Sequence, residues 1–222
     1  MKTSNYKYDN GIDLAKDIVL EVNKKVKRVY WTNEEIDKWF GRRSVKEIIN
    51  NGTTCFMNPC LDLTLVASYL MSSKDINNQF IIEEHLPTKD FNFDKSDLVL
   101  KDFKFNRLHF TIEFQHSNKN YILNFKRENE VYILEGEYNG REEIPRASMI
   151  KIPGEKINSY IPLYKNLGYA TLDDLIKSKF NGYSLESNLK RLKQDNSEEN
   201  YKFYKKRCDE EFNIITTPQN QL

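Results

Sequence analysis

The sequence predicts an α+β fold: N-terminal helices, a buried central helix packed on a mostly antiparallel β-sheet, and a C-terminal helical appendage. Three observations carry this reading. Residues 12 to 28 place Ile12, Leu14, Ala15, Ile18, Val19, Val22 and Val26 at helical spacing among charged residues, the pattern of an amphipathic helix. From Asn58-Pro59 to Met71 the chain is apolar almost all round, as a helix buried on most sides requires. Beyond it, β-rich runs alternate with clusters of Asn, Asp, Lys and Gly, which is the grammar of strands and turns.

Each element has a local physical reason. Thr32-Asn-Glu-Glu35 and Ser44-Val-Lys-Glu47 carry the Ser/Thr and Glu spacing of a capping box, so two short helices are expected to start there. Asn50-Asn51-Gly52 stops the second of them and delivers the chain to Cys55. Strands are expected at about 78–86, 97–105, 107–116, 120–127, 130–138 and 147–152, with Ser117-Asn118-Lys119 as a hairpin connection. After Gly168 the chain returns to helix: Thr171-Leu-Asp-Asp174 caps one segment, and amphipathic stretches follow near 184–195 and 197–212. The division is therefore a core over residues 1–168, an appendage over 169–213 and a flexible tail over 214–222, whose low apolar content predicts fraying.

Composition bounds the function classes. With 222 residues, 39% of them hydrophobic and including 13 Phe and 13 Tyr, the chain has apolar area for one well-packed core. Lys and Arg total 34 against 33 Asp and Glu, with no strongly basic or acidic half, so neither nucleic acid nor a membrane surface is an implied partner. The N-terminal residues lack the apolar run of a secretory signal, and no stretch approaches the ~18 apolar residues of a membrane span, which makes a soluble, cytoplasmic protein the expectation. Three cysteines without a Cys-x-x-Cys pair or a His cluster imply reduced thiols, no metal site and no cofactor.

The chemistry-bearing residues are a cysteine, a histidine and an amide in that order: Cys55, His109 and Asn124. A free thiol supplies little thiolate at neutral pH, so a nucleophilic cysteine belongs near a helix N-terminus and beside a histidine. Cys55 closely precedes the central helix, whose orphan N–H groups favour a thiolate and an oxyanion. His109 on a strand would be held rigidly, and Asn124, fifteen residues on across the hairpin, would accept its other ring N–H and fix the tautomer. Pro59 has no N–H for the interior of a helix, so the central helix can start at Asn58; Cys60 then takes its second position and competes as nucleophile. Cysteine is also among the most buried residue types, so each thiol has an ordinary packing role to weigh against a chemical one. His116, beside the hairpin turn, reads as solvated, and Glu113 as an exposed-face carboxylate.

The run Arg43-Ser-Val-Lys-Glu-Ile-Ile-Asn-Asn-Gly-Thr-Thr-Cys55, followed by a buried helix, resembles the transglutaminase-like cysteine protease superfamily, of papain-like fold. The run from His109 through Glu113 and Tyr121 to Asn124 resembles that family's histidine strand and the third triad residue on the next strand, where Asn stands in place of the usual Asp. The resemblance covers roughly residues 12 to 127. It implies a cysteine-dependent acyl-transfer enzyme acting on a peptide, protein or small amide substrate, with Cys55, His109 and Asn124 as its triad and hydrolysis ranked ahead of amine transfer. A catalytically inactive transglutaminase-like binding module is the alternative.

Overall fold

A computed structural model describes residues 8–85, 107–126, 129–136, 146–180 and 185–218. The strand expected at 97–105 lies outside them. Helix α1 (Gly11–Lys25) opens with the Asn10 side chain accepting from the Asp13 N–H, and it buries the predicted stripe Leu14, Ala15, Ile18, Val19 and Val22. Strand β1 (Lys27–Val29) follows. Helices α2 (Asn33–Trp39) and α3 (Val45–Asn51) both form complete capping boxes, at Thr32 with Glu35 and at Ser44 with Glu47. Gly52 closes α3 in the left-handed region, at φ 65°, where its N–H reaches the Ile48 and Ile49 carbonyls. Strand β2 (Thr53–Cys55) then pairs in parallel with β1, Val29 opposite Cys55.

Helix α4 (Cys60–Ser73) is the central helix, buried from Cys60 to Ser68 and again at Leu70 and Met71. It begins at Cys60, with Pro59 just before it, and the Leu63 N–H donates to the Pro59 carbonyl. The missing proline N–H therefore costs no intrahelical bond, which corrects the expected start at Asn58. Strands β3 (Asn78–His85), β4 (Arg107–His116), β5 (Lys119–Phe125), β6 (Glu130–Glu135) and β7 (Arg146–Pro153) build the sheet beneath it. Ser117 and Asn118 connect β4 to β5 with φ of 50° and 62°, the paired positive dihedrals that match the twist of a two-residue hairpin.

A short 3₁₀ turn (Gly154–Lys156) leads to α5 (Leu163–Asn166), α6 (Leu172–Lys179), α7 (Leu185–Asp195), α8 (Glu198–Asp209) and β8 (Asn213–Pro218). The six-stranded sheet runs β7-β3-β4-β5-β6-β8, antiparallel except for the parallel β6–β8 pair, so the fold is α+β with a mixed, mostly antiparallel sheet. Phe80, Ile82, Phe110, Ile112, Phe114, Tyr121, Leu123 and Phe125 face the core shared with α1 and α4. Ile81, Ile122 and Leu134 occupy the opposite face.

The C-terminus departs from expectation. Residues 213–218, assigned above to the appendage's end and a frayed tail, form β8 against β6. Side chains of the core hold this segment by its backbone. Asn129 Nδ2 donates to the Glu210 and Glu211 carbonyls at 2.7 and 2.9 Å, and Arg28 Nη2 donates to the Arg207 carbonyl at 2.9 Å. With α8 also packed on β1, the helices after Gly168 are joined to the core by sheet pairing and buried polar contacts. Among the described residues no helix is long and apolar enough to cross a membrane.

Candidate functional site

The hairpin brings His109 and Asn124 together. His109 Nε2 lies 2.9 Å from Asn124 Oδ1, an amide oxygen placed to accept from a ring N–H. This contact spans a seam. Register between β4 and β5 runs from His116↔Lys119 to Ile112↔Leu123 and stops, although both strands continue. Beyond that point side chains bridge the strands, Thr111 Oγ1 to the Leu123 carbonyl at 2.9 Å and His109 to Asn124.

The residue that α4 brings to this seam is Cys60. Thr64, one turn further along α4, donates its hydroxyl to the Phe110 carbonyl at 3.4 Å, while the Phe110 and Leu61 N–H groups point at the Cys60 sulfur. Cys60 thus meets β4 one residue along from His109. The Phe110 side chain joins the core under α4, so strand alternation sends the His109 side chain off the other face. Cys60 and His109 therefore stand on opposite faces of β4, and among the described residues neither Cys60 nor Cys55 hydrogen-bonds to His109: the structure joins His109 to Asn124 and does not join that pair to a cysteine.

Two opposing influences act on the Cys60 thiol. Burial pushes it up to about 12, and the nearby Asp62 charge adds to the rise, while the Leu61 and Phe110 N–H groups lower it. In the resting structure the thiol is protonated and donates to Asn58 Oδ1 at 2.9 Å. Cys60 and Cys55 are both buried.

Cys55 sits in β2, ahead of α4 by a turn, so the N–H groups that face its sulfur are those of Met57 and Asn58 and not the helix terminus. Its neighbour is Asn196 in the α7–α8 connection. The Asn196 amide nitrogen donates to the Trp31 carbonyl, which turns Oδ1 towards Cys55 at 3.4 Å. An acceptor so fixed requires a protonated thiol, because a thiolate facing a carbonyl oxygen in a dry core is repelled. Burial again pushes the thiol up to about 12. Cys208, the third free cysteine, is buried on α8, and burial raises its thiol too.

A pH-dependent stability follows from Cys55. The folded state holds its proton more tightly than an unfolded chain with a thiol near 9.0, so the contribution is complete below about pH 9 and is lost as pH rises towards about 12. Within that window each such thiol removes ~1.4 kcal/mol per pH unit. In urea titrations the stability advantage of the wild type over Cys55→Ala is expected to shrink between pH 8 and pH 10.5. An advantage that stays constant across that range would refute the assignment of Cys55 as a protonated packing residue.

A buried ion pair lies between strand β2 and the first turn of α4. Arg43 Nη2 lies 2.5 Å from Asp62 Oδ2, and both side chains are buried. Thr54 donates its hydroxyl to the same carboxylate oxygen at 2.7 Å, and Arg43 Nη1 donates to the Thr53 carbonyl at 3.0 Å. The guanidinium also lies over the Trp31 ring, 4.6 Å from its centroid. One pair thereby ties the loop before α3 and strand β2 to the first turn of α4, where the negative Asp62 also suits the helix dipole. A lone charge within the apolar run Cys60–Met71 was its only local signal.

Two other side chains have settled roles. His116, read above as solvated, is buried, and its Nε2 lies 3.2 Å from the Tyr8 carbonyl, because the chain ahead of α1 crosses over the hairpin end. Glu113 pairs with Lys151 of β7 at 2.5 Å. No protein-family model, curated protein or solved structure matches the chain.

Proposed function

We propose that the protein is a cysteine-dependent acyl-transfer enzyme that hydrolyses a peptide, isopeptide or other amide bond, with Cys60 as nucleophile, His109 as proton carrier and Asn124 as the group that orients it. What supports the reading is the His109–Asn124 pair, 2.9 Å apart across the β4–β5 seam, with Cys60 at the first position of α4 reaching the other face of the same strand at Phe110. In the reaction the Cys60 sulfur attacks the substrate carbonyl carbon and its proton goes to the His109 ring, a transfer that requires the two side chains, which stand on opposite faces of β4, to be brought together. His109 returns the proton to the leaving amine; water then attacks the thioester, His109 takes a proton from it, and the thiol is regenerated. The positive end of α4 stabilises the oxyanion. Cys55, which the motif alone favoured, serves packing in this scheme.

A second reading, the inactive binding module, is favoured by one observation: burial holds both Cys55 and Cys60 as neutral thiols. Alkylation with iodoacetamide at about pH 6, read by mass spectrometry, separates the two. The enzyme labels at Cys60 ahead of the other cysteines, and His109→Ala slows that labelling by about tenfold or more, since the ring no longer takes the proton. Slow labelling of all three thiols at similar rates, unaffected by His109→Ala, would establish the inactive module.

A further inference from the structure

Two of the three cysteines face an asparagine amide, and the two amides differ in how they are held. Asn196 is pinned at both ends, its nitrogen on the Trp31 carbonyl and its oxygen on Cys55. Asn58 is pinned at its backbone, where its N–H donates to the Cys55 carbonyl at 3.2 Å, and at the amide oxygen that accepts from Cys60 at 2.9 Å. Its amide nitrogen makes no hydrogen bond among the described residues, and the side chain is half-buried. Pro59, between Asn58 and Cys60, fixes one backbone dihedral at φ −76°, so the distance from amide to sulfur is held by a stiff connection while the terminal amide torsion remains soft.

We infer that the Asn58 side chain is a two-position amide switch on Cys60, accepting from the neutral thiol in the resting state and, turned by half a rotation, donating from its NH₂ to the thiolate. The inference rests on the reading of Cys60 as nucleophile and adds a positioning residue to it. The physical need is plain: a carbonyl oxygen at hydrogen-bond distance from sulfur favours the protonated form, so loss of the proton turns an attraction into a repulsion. Rotation removes the repulsion without moving the backbone. It places an N–H against the sulfur alongside those of Leu61 and Phe110, which already point there. The thiol proton leaves to the base of the proposed reaction, and Asn58 gains and loses none. Asn196 has no such freedom, because turning it would break its bond to Trp31 and set its carbonyl against another carbonyl. The two thiols thus differ in whether the facing amide can turn.

The test is the pH profile of Cys60 alkylation by iodoacetamide in the full chain. Asn58→Ala is expected to move the midpoint up by about one pH unit and to slow labelling at neutral pH about tenfold, the size of one hydrogen bond to a charged group. Asn58→Asp moves it further, since a carboxylate repels the thiolate and offers no donor. Asn58→Leu, close to asparagine in volume, repeats the upward shift if the alanine variant folds poorly, with thermal melting as the check on folding. A midpoint that is unchanged or lower in the alanine and leucine variants would overturn the switch, since the amide would then do nothing or only hold the thiol neutral. The same profiles recorded in a His109→Ala background keep the two claims apart: no effect of His109→Ala ends the acyl-transfer reading, while the displacement caused by the Asn58 variants is still measured.

Discussion

Cys60→Ala is expected to abolish acyl-transfer turnover, by about 10³-fold or more, while Cys55→Ala leaves it within about threefold of the wild type. The asymmetry follows from where each sulfur sits. Cys60 is the first residue of α4, in reach of N–H groups from both the helix and β4 at the seam that His109 and Asn124 span. In the proposed triad the members act as a unit, so removal of the nucleophile leaves only the oxyanion donors and substrate binding. Cys55 donates to an asparagine that is itself locked on Trp31, and its loss opens a small cavity that costs about 1–2 kcal/mol of stability without touching the seam. Turnover is read on the peptide found by library screening with the wild type, or by labelling with an activity-based thiol probe. Retained turnover in Cys60→Ala together with its loss in Cys55→Ala would return the nucleophile to Cys55 and undo the geometry argued here.

Which thiol stands at the start of the central helix was the least legible part of the sequence, and the reason is a matter of one helix boundary. Gly52 and the capped helix before Cys55 match the setting expected of a nucleophile, and both features form as read. The deciding residue is Pro59, which stands just outside α4 and makes Cys60 the first helical position. Helix starts are set by which N–H groups lack partners, and here the start falls two residues later than expected, at Cys60, with the apolar pattern that announces the helix unaltered. The His109–Asn124 pair was easier to read, because a two-residue hairpin fixes register, and register fixes which side chains stand diagonally across the strands.

Elsewhere the same division holds between local and long-range causes. The capping boxes at Thr32 and Ser44, the stripe on α1 and the turn at Ser117-Asn118 are short-range chemistry, and each forms as its residues dictate. Strand β8 had a local signal in Ile214-Ile215-Thr216-Thr217, a β-branched run, but its place depends on parallel pairing with β6, some eighty residues earlier, and on Asn129 gripping the backbone ahead of it. His116 looked solvated because its neighbours in sequence form a turn; what buries it is the chain at Tyr8.

The largest stability effects are expected at the pair beneath the site, Arg43 and Asp62. Each is buried, and the pair bonds to the Thr53 carbonyl and the Thr54 hydroxyl as well as to itself, so removing one partner leaves the remaining charge buried and unpaired. Arg43→Met and Asp62→Leu are each expected to lower unfolding free energy by about 3–5 kcal/mol, a large share of what a domain of this size holds. The double variant is expected to recover much of that loss, because two apolar side chains of similar reach leave no unpaired charge and can pack between Trp31 and the first turn of α4. Urea denaturation of the four proteins measures the coupling directly. Single losses under about 1 kcal/mol, or a double variant whose loss is the sum of the two, would show that the pair does not act as a unit. If the pair also sets the position of Cys60, the double variant has a consequence beyond stability. It restores folding but not the ties from Thr54 and the Thr53 carbonyl to the start of α4, so Cys60 alkylation in it loses its dependence on His109 while the melting temperature stays near that of the wild type. Stability recovered with the His109 dependence intact would leave Arg43 and Asp62 as a support for the fold alone.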